Sequence, residues 1–274
     1  MNVLLLGATG TLGRALAAHL PTRFTTLVPA ARSAEQLEGA GLHRLSSRLD
    51  ATDPRTIDAV LDEAAADVVI NCVAITPSSP MHGDERAMAA INSAFPHALA
   101  SRVQQRRGRL IHISTDGVFS GRRGSYRETD APDPTDLYGR SKLAGEVQAS
   151  GCLTVRTSFF GRNPHGRGLI EWLLAQDRGS IEGYSDYVFS GVAAPVLAEV
   201  IGDLVETPVD GTLHVGGSPI SKYELLAAAA KAFRPDVQVH PVARGRVDRS
   251  LDTSRMSALL ARKLPPLDVM LQTV

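Results

Sequence analysis

The chain has 274 residues, 43% hydrophobic and 21% charged, enough for one large domain or two lobes around a full core. Lys plus Arg and Asp plus Glu each number 29, so the formal net charge is zero, which argues against a general binder of nucleic acid or of an anionic membrane surface. "MNVLLLGATG" shows no charged n-region before a long apolar core, and no apolar run reaches the ~18 residues of a membrane span, so an untargeted cytoplasmic protein is expected.

"NVLLLG" predicts a first strand, followed by a helix from about Leu12 to Leu20. "FTTLV" follows as a strand, then a helix near Ser33–Gly39, the strand "HRLSSRLD" and a helix near Pro54–Ala65. Next come "DVVINCVA", one long helix near Asp84–Gln105, the strand "RLIHIS", a helix beginning near Asp136 and the strand "LTVRTS". Continuously apolar strands spaced by amphipathic helices predict a parallel sheet covered on both faces, a doubly wound α/β fold of Rossmann type. After Ser158 the rhythm changes. Gly, Pro and Arg crowd "FFGRNPHGRG", a helix spans about Leu169–Gln176, and "GYSDYVFSG" reads as a loop. The helix Ala194–Glu206 and the segments "TLHVGG" and "YELLAAAAKAF" suggest that part of the tail rejoins the first domain. The expected division is a dinucleotide-binding domain over 1–158 and a smaller lobe, mainly for substrate, over 159–274.

Cys72 and Cys152 fall in predicted buried strands without metal-type spacing, and the eight histidines form no His-x-x-His or His-x-x-x-His pattern. Reduced, structural cysteines and no metal are expected. The arginine pairs Arg106/Arg107 and Arg122/Arg123 read as solvated surface.

"GATGTLG" directly follows the first strand and opens a helix, with Gly7, Gly10 and Gly13 spaced Gly-x-x-Gly-x-x-Gly. Such a turn lets backbone N–H groups approach a pyrophosphate at a helix N-terminus, where side chains would stand in the way. Thr9, Thr11 and Leu12 complete the candidate loop. An acid after the second strand would read the 2′-hydroxyl of NAD, and a base the 2′-phosphate of NADP. "FTTLVPAARS" offers no acid but does offer Arg32, with Arg14 behind the loop, which favours NADPH and leaves NADH possible.

The stretch "STDGVFSGRRGSYRETDAPDPTDLYGRSK" then acquires chemical sense. Ser114, Thr115 and Asp116 lie at the carboxyl end of a central strand, where doubly wound sheets bind ligands. Tyr138 and Lys142, four apart, share a helix face. A tyrosine titrates near pH ~10, and a neighbouring ammonium favours its ionised form, so Tyr138 can give a proton to a developing alkoxide and recover it. Thr115 can hydrogen-bond the same oxygen. The pattern is that of ketone reduction with a nicotinamide hydride.

Together these motifs resemble the extended short-chain dehydrogenase/reductase superfamily. "NCVAIT", "INSAFPHALA", "HISTDGVFSG", "ETDAPDPTDLYGRSKLAGE" and "VRTSFFG", with "DRSLDTSRM" near the end, resemble its dTDP-4-dehydrorhamnose reductase group. The resemblance implies an NDP-4-keto-6-deoxysugar reductase taking a nucleotide-sugar as substrate, with a homodimer possible. It also implies that Asp50, beside Ala51, meets the adenine, that Ala74, after Cys72 and Val73, lies along the ribose, and that Asn92 supports the catalytic Thr115, Tyr138 and Lys142. By the same comparison Glu128, Asp130 and Arg156 are structural.

Departures fall on the sugar side. The group's aromatic after "STD" is here Gly117, its Trp after "RTS" is Phe159, and its Gly-x-Pro-Thr is "FSGV" at 189–192. Asp116, Gly117, Phe159, Tyr187 and Phe189 are candidates for contact with the base or sugar, and Arg162, Arg167 or Arg249 for its diphosphate. An epimerase, a dehydratase, a non-sugar ketone reductase of the superfamily and a non-catalytic dinucleotide-binding subunit remain the alternatives.

Overall fold

The first strand, β1 (Asn2–Leu6), buries Val3, Leu4, Leu5 and Leu6 almost completely, as expected of a strand covered on both faces. The structure is a computed structural model and describes residues 1–24, 26–32, 37, 48–177 and 179–274. The helix expected near Ser33–Gly39 and most of the strand "HRLSSRLD" lie outside the described residues. The chain divides into two units. Unit 1 holds Met1–Ser114, Asp136–Val155 and Ala198–Thr212; unit 2 holds Thr115–Thr135, Arg156–Leu197 and Leu213–Val274.

In unit 1, β1 leads into α1 (Thr11–His19) and β2 (Thr26–Ala30), followed by α2 (Pro54–Ala64) and β3 (Val68–Asn71). Asp53 caps α2 by accepting the Arg55 N–H at 2.9 Å, and Pro54 starts the helix where a missing N–H costs nothing. Next come α3 (Glu85–Met88), a π-turn over Ala89–Ala94, α4 (Phe95–Gln105), β4 (Arg109–Ile113), α5 (Leu137–Ala144) and β5 (Cys152–Phe160), whose last residues belong to unit 2. The strand order is β2-β1-β3-β4-β5, all parallel, with Leu4 opposite Val28 on one side and Val69 on the other. The chain winds outward from β1 to β2 and then returns to the opposite side at β3. The switch point therefore lies at the carboxyl ends of β1 and β3. One core cluster joins Leu4, Leu6, Val69 and Leu110 of the strands to Ile57, Val60 and Leu61 of α2 and Phe95, Leu99 and Val103 of α4.

The single long helix expected over Asp84–Gln105 is interrupted. Pro96 has no N–H for the carbonyl four residues back, that of Asn92, and its ring crowds that carbonyl. The chain absorbs this as the π-turn, a form common where a helix carries function. Cys72 sits just past β3 and is half-buried, while Cys152 is buried in β5, so only the second lies within a strand; both thiols are free.

Unit 2 is built from short, sequence-distant pairings. After α6 (Leu169–Leu174), shorter than expected, comes β6 (Ser180–Tyr184), whose last two residues, with all of β7 (Tyr187–Phe189), fall where a loop was expected. Then come β8 (Gly191–Ala193), α7 (Ala194–Glu206), which belongs to unit 1 from Ala198 onward, β9 (Gly211–Val215), which returns to unit 2 at Leu213, β10 (Ile220–Ser221), α8 (Lys222–Phe233), β11 (Gln238–Val242) and β12 (Val247–Asp248). The end of β5 pairs with β8, β7 lies between β10 and β12, and β6 pairs with β11. Ser221 and Glu224 form a reciprocal capping box at the start of α8.

The loop after Thr115 packs through Phe119, which stacks on Tyr126 at 4.2 Å between centroids and meets His214 edge-on. Arg156 lies over the Phe119 ring, Glu128 accepts the His214 N–H at 3.0 Å, and Asp130 pairs with Arg123. Of the arginine pairs read as solvated surface, Arg106 bonds Asp58 and Asp62, and Arg123 also covers Tyr126.

Candidate active site

The glycine loop sits at the switch point of unit 1. Gly7 has φ +79°, which a side chain rarely adopts, and a Cβ there would lie 3.0 Å from the Cys72 carbonyl carbon and the Val73 nitrogen. At Gly13 a Cβ would lie 2.2 Å from the Gly7 oxygen, so the first turn of α1 can lie on the loop only with glycine there. Gly10 is the N-cap and supplies no side-chain cap, and no acid stands in the first turn. The helix ladder is entered by Arg14 N–H to Gly10 O at 2.9 Å, and the N–H groups of the first turn face the loop end of the helix. Backbone N–H groups at a positive helix end, with exposed Gly10 opening the approach, fit a dinucleotide pyrophosphate. Thr9 and Thr11 are half-buried beside the loop, and Leu12 is buried beneath it.

Arg32 is exposed just past β2 and Arg14 is half-buried in α1, so among the described residues a base stands at the end of the second strand. Asp50 closes its own turn, accepting the Thr52 N–H at 2.9 Å and the Thr52 hydroxyl at 2.7 Å, and these bonds hold its carboxyl below the usual range. Ala51, Cys72, Val73 and Ala74 are half-buried, with Cys72 N–H bonded to Leu6 O at 3.0 Å. Burial pushes the Cys72 thiol up to about 12, against the opposing pull of Lys142.

Asn92, in the π-turn, is fully buried. Its side chain accepts the Ile75 N–H at 2.8 Å and donates to Ile75 O at 2.9 Å and to Ser141 Oγ at 3.0 Å. It thus ties the segment after β3 to α5, the helix of Tyr138 and Lys142. The approach is close: a Cβ on Gly145, just past α5, would lie 1.9 Å from Asn92 O. Asp136 caps α5, accepting the Gly139 N–H at 2.7 Å. Tyr138 is half-buried, whereas Lys142 is 1% exposed. Lys142 Nζ donates to Ile113 O at 2.7 Å and stands 3.3 Å from His112 Nε2. Burial lowers the ammonium to about 8, opposed by the Glu146 carboxylate and by Cys72. Glu146 is itself buried and accepts the Ser114 hydroxyl at 2.7 Å.

Unit 2 gathers a second polar cluster. The Thr115 hydroxyl donates to Asp116 Oδ1 at 3.2 Å and accepts the Gly117 N–H at 3.0 Å. Asp116 is 8% exposed, and burial pushes it up to about 6, with Arg249, the hydroxyls of Thr115 and Ser158, and Lys222 opposing. Arg249 donates to the Tyr187 hydroxyl at 3.3 Å, and Lys222 Nζ sits 3.6 Å from the Tyr187 ring centroid. The position next to Gly117 is occupied by Arg249, whose Nη1 would be 3.6 Å from a Cβ there.

Tyr187, Asp116, Gly117 and Arg249 are therefore brought together. The remaining substrate-side candidates have settings of their own. Phe189 is buried in β7, Phe159 is exposed at the end of β5, Arg162 pairs with Glu171 at 2.8 Å, and Arg167 is half-buried before α6. The sequence reading passed over Lys222 and His112. Lys222 follows a capping serine, and His112 interrupts an otherwise apolar strand, which was the available signal.

A cavity of about 920 Å³ in unit 2 is lined by Trp172, Tyr184, Lys222, Ile181, Glu182 and His240, among others.

Comparison with known proteins places these features in a lineage. The profile of the family described as RmlD substrate binding domain matches residues 1–270. A dTDP-4-dehydrorhamnose reductase of Mycobacterium tuberculosis is 32% identical over 80% of this chain and 76% of its own. A probable low-salt glycan biosynthesis reductase of Haloferax volcanii is 32% identical over 78% of this chain and 74% of its own. Among solved structures, dTDP-4-dehydrorhamnose reductase from Bacillus anthracis in complex with NADP superposes with a TM-score of 0.81 at 25% identity, covering 99% of this chain and 97% of that one. The chain belongs to the RmlD substrate binding domain family, the nucleotide-sugar ketoreductase branch of the extended short-chain dehydrogenase/reductases.

Proposed function

We infer that this protein is an NADPH-dependent reductase that converts the 4-keto group of an NDP-4-keto-6-deoxysugar to an alcohol, with NADH as the weaker donor. The observation that carries the reading is α5, which presents Tyr138 four residues from a buried lysine in the same unit as a glycine loop shaped for a pyrophosphate. NADPH supplies the hydride when bound. Gly7, Gly10 and Gly13 admit its pyrophosphate to the end of α1, and Arg32 and Arg14 supply positive charge for a 2′-phosphate. Tyr138 gives its phenolic proton to the alkoxide, Thr115 offers a hydrogen bond to the substrate oxygen, and Asn92 holds α5 in place. In unit 2, Tyr187 and Arg249 take the nucleotide-sugar, with the guanidinium suited to a diphosphate oxygen.

Two free cysteines fit a reducing, cytoplasmic setting. Among the described residues no helix is long and apolar enough to cross a membrane.

The reading is tested with a panel of enzymatically prepared 4-keto nucleotide-sugars, following consumption of NADPH. Tyr138→Phe should lower kcat by about 10²–10⁴-fold with little change in substrate binding. A variant that keeps more than about a tenth of the turnover, with chemistry rate-limiting, rules out Tyr138 as the donor. Release of a tightly held, unconsumed nicotinamide on denaturation would favour an epimerase or dehydratase instead.

A further inference from the structure

The neighbourhood of Lys142 contains a hydrogen-bond sequence whose direction can be worked out. Asn71 and His112 are partners in the β3–β4 register, 0% and 1% exposed. The Val73 N–H donates to Asn71 Oδ1 at 3.0 Å, which fixes the amide orientation and turns its nitrogen toward His112. Asn71 Nδ2 lies 3.1 Å from His112 Nδ1. An amide nitrogen is only a donor, so Nδ1 must accept, and a neutral imidazole then carries its proton on Nε2. Burial, together with Lys142 and His97, holds His112 well below its ordinary value, so the ring stays neutral.

That Nε2–H faces Lys142 Nζ at 3.3 Å. An ammonium is donor only, and two N–H groups cannot satisfy each other. The contact is complete only when Lys142 is an amine, accepting from Nε2–H while donating one of its own hydrogens to Ile113 O at 2.7 Å. We propose that His112, oriented by Asn71, is a positioning residue of the catalytic helix whose Nε2–H, aimed at Lys142 Nζ, weakens the hold of the lysine on its proton.

The remaining titratable groups facing the pair are Glu146 and Cys72 toward the lysine and His97 toward the imidazole. Glu146 and Cys72 favour the ammonium and burial opposes it; the His112 N–H, facing Nζ, adds to the opposition. Held at that balance, the lysine exchanges its proton easily. That α5 is the catalytic helix rests on the reading of Tyr138 and Lys142 as the catalytic couple, whereas the imidazole tautomer and the lysine titration do not.

The test needs neither cofactor nor substrate, so its failure is distinct from failure of the reductase assay. In the full chain with ¹⁵N-labelled histidine, the His112 resonances should report the Nε2–H tautomer, unchanged across the neutral pH range. A protonated Nδ1, or an imidazole that charges near neutrality, overturns the proposal. The chain has four lysines, Lys142, Lys222, Lys231 and Lys263, so ¹⁵N-labelled lysine gives a readable titration. Lys142 should lose its proton near pH 8. A titration at or above the ordinary lysine value of about 10.4 overturns the proposal. His112→Phe keeps a ring of similar size without the N–H and should raise the Lys142 midpoint by about one pH unit. An unchanged or lower midpoint in that variant also overturns it, and the wild-type tautomer decides the matter if the variant does not fold.

Discussion

Asp116 offers a prediction in which stability reads the electrostatics of the substrate-side cluster. Its folded value is about 6 against 3.8 for the ordinary side chain, a rise caused by burial and only partly offset by Arg249, the hydroxyls of Thr115 and Ser158, and Lys222. Because the folded value is the higher one, between about pH 4 and 6 the native state keeps the proton that the unfolded chain has lost. Stability from this group is fully present below the unfolded value and is lost as pH rises through the folded one. A rise of about two pH units, at about 1.36 kcal/mol for each, makes this about 3 kcal/mol.

Asp116→Asn preserves shape and removes the titration. Urea unfolding of wild type and variant, measured in steps from pH 4 to 8, should show wild type losing about 3 kcal/mol relative to the variant, nearly all of it below about pH 6.5, with parallel curves above. Taking the difference cancels every other titrating group. If the two curves stay parallel across the whole range, Asp116 is not held in a buried, poorly compensated site.

Other outcomes follow from single contacts. Gly145→Ala should cost about 1–3 kcal/mol and lower kcat, because its Cβ would lie 1.9 Å from Asn92 O and must push the π-turn from α5; a wild-type melting temperature and turnover would contradict that close approach. Arg32→Ala should weaken NADPH binding selectively, by roughly 1–3 kcal/mol in a direct titration, whereas equal loss for NADH would remove Arg32 from 2′-phosphate recognition. Arg249→Ala should raise KM for the nucleotide-sugar with kcat nearly unchanged and the melting temperature held; early unfolding with normal substrate binding would make Arg249 structural.

The parallel sheet, the glycine loop and the helix carrying Tyr138 and Lys142 were legible in the sequence because each depends on local pattern. Unbroken apolar runs such as "VLLL" report strands buried on both faces, and Asp136, three residues before Gly139, announces a helix start. The π-turn was less accessible: Pro96 was visible, but a helix can absorb a proline in several ways, and the close approach of Gly145 to Asn92 is a tertiary fact. The strand β7 and the end of β6 were read as loop because they are short and their partners lie far along the chain, as in the pairing of Phe189 with Ile220 and of Tyr187 with Val247. Such segments have little intrinsic preference, so pairing and burial decide them. The same holds for electrostatics. That Tyr138 and Lys142 share a helix face follows from a spacing of four. That Lys142 is buried against an oriented imidazole, and Asp116 among Thr115, Lys222 and Arg249, depends on which strands and helices meet, because desolvation and hydrogen-bond direction exist only once distant residues are packed together.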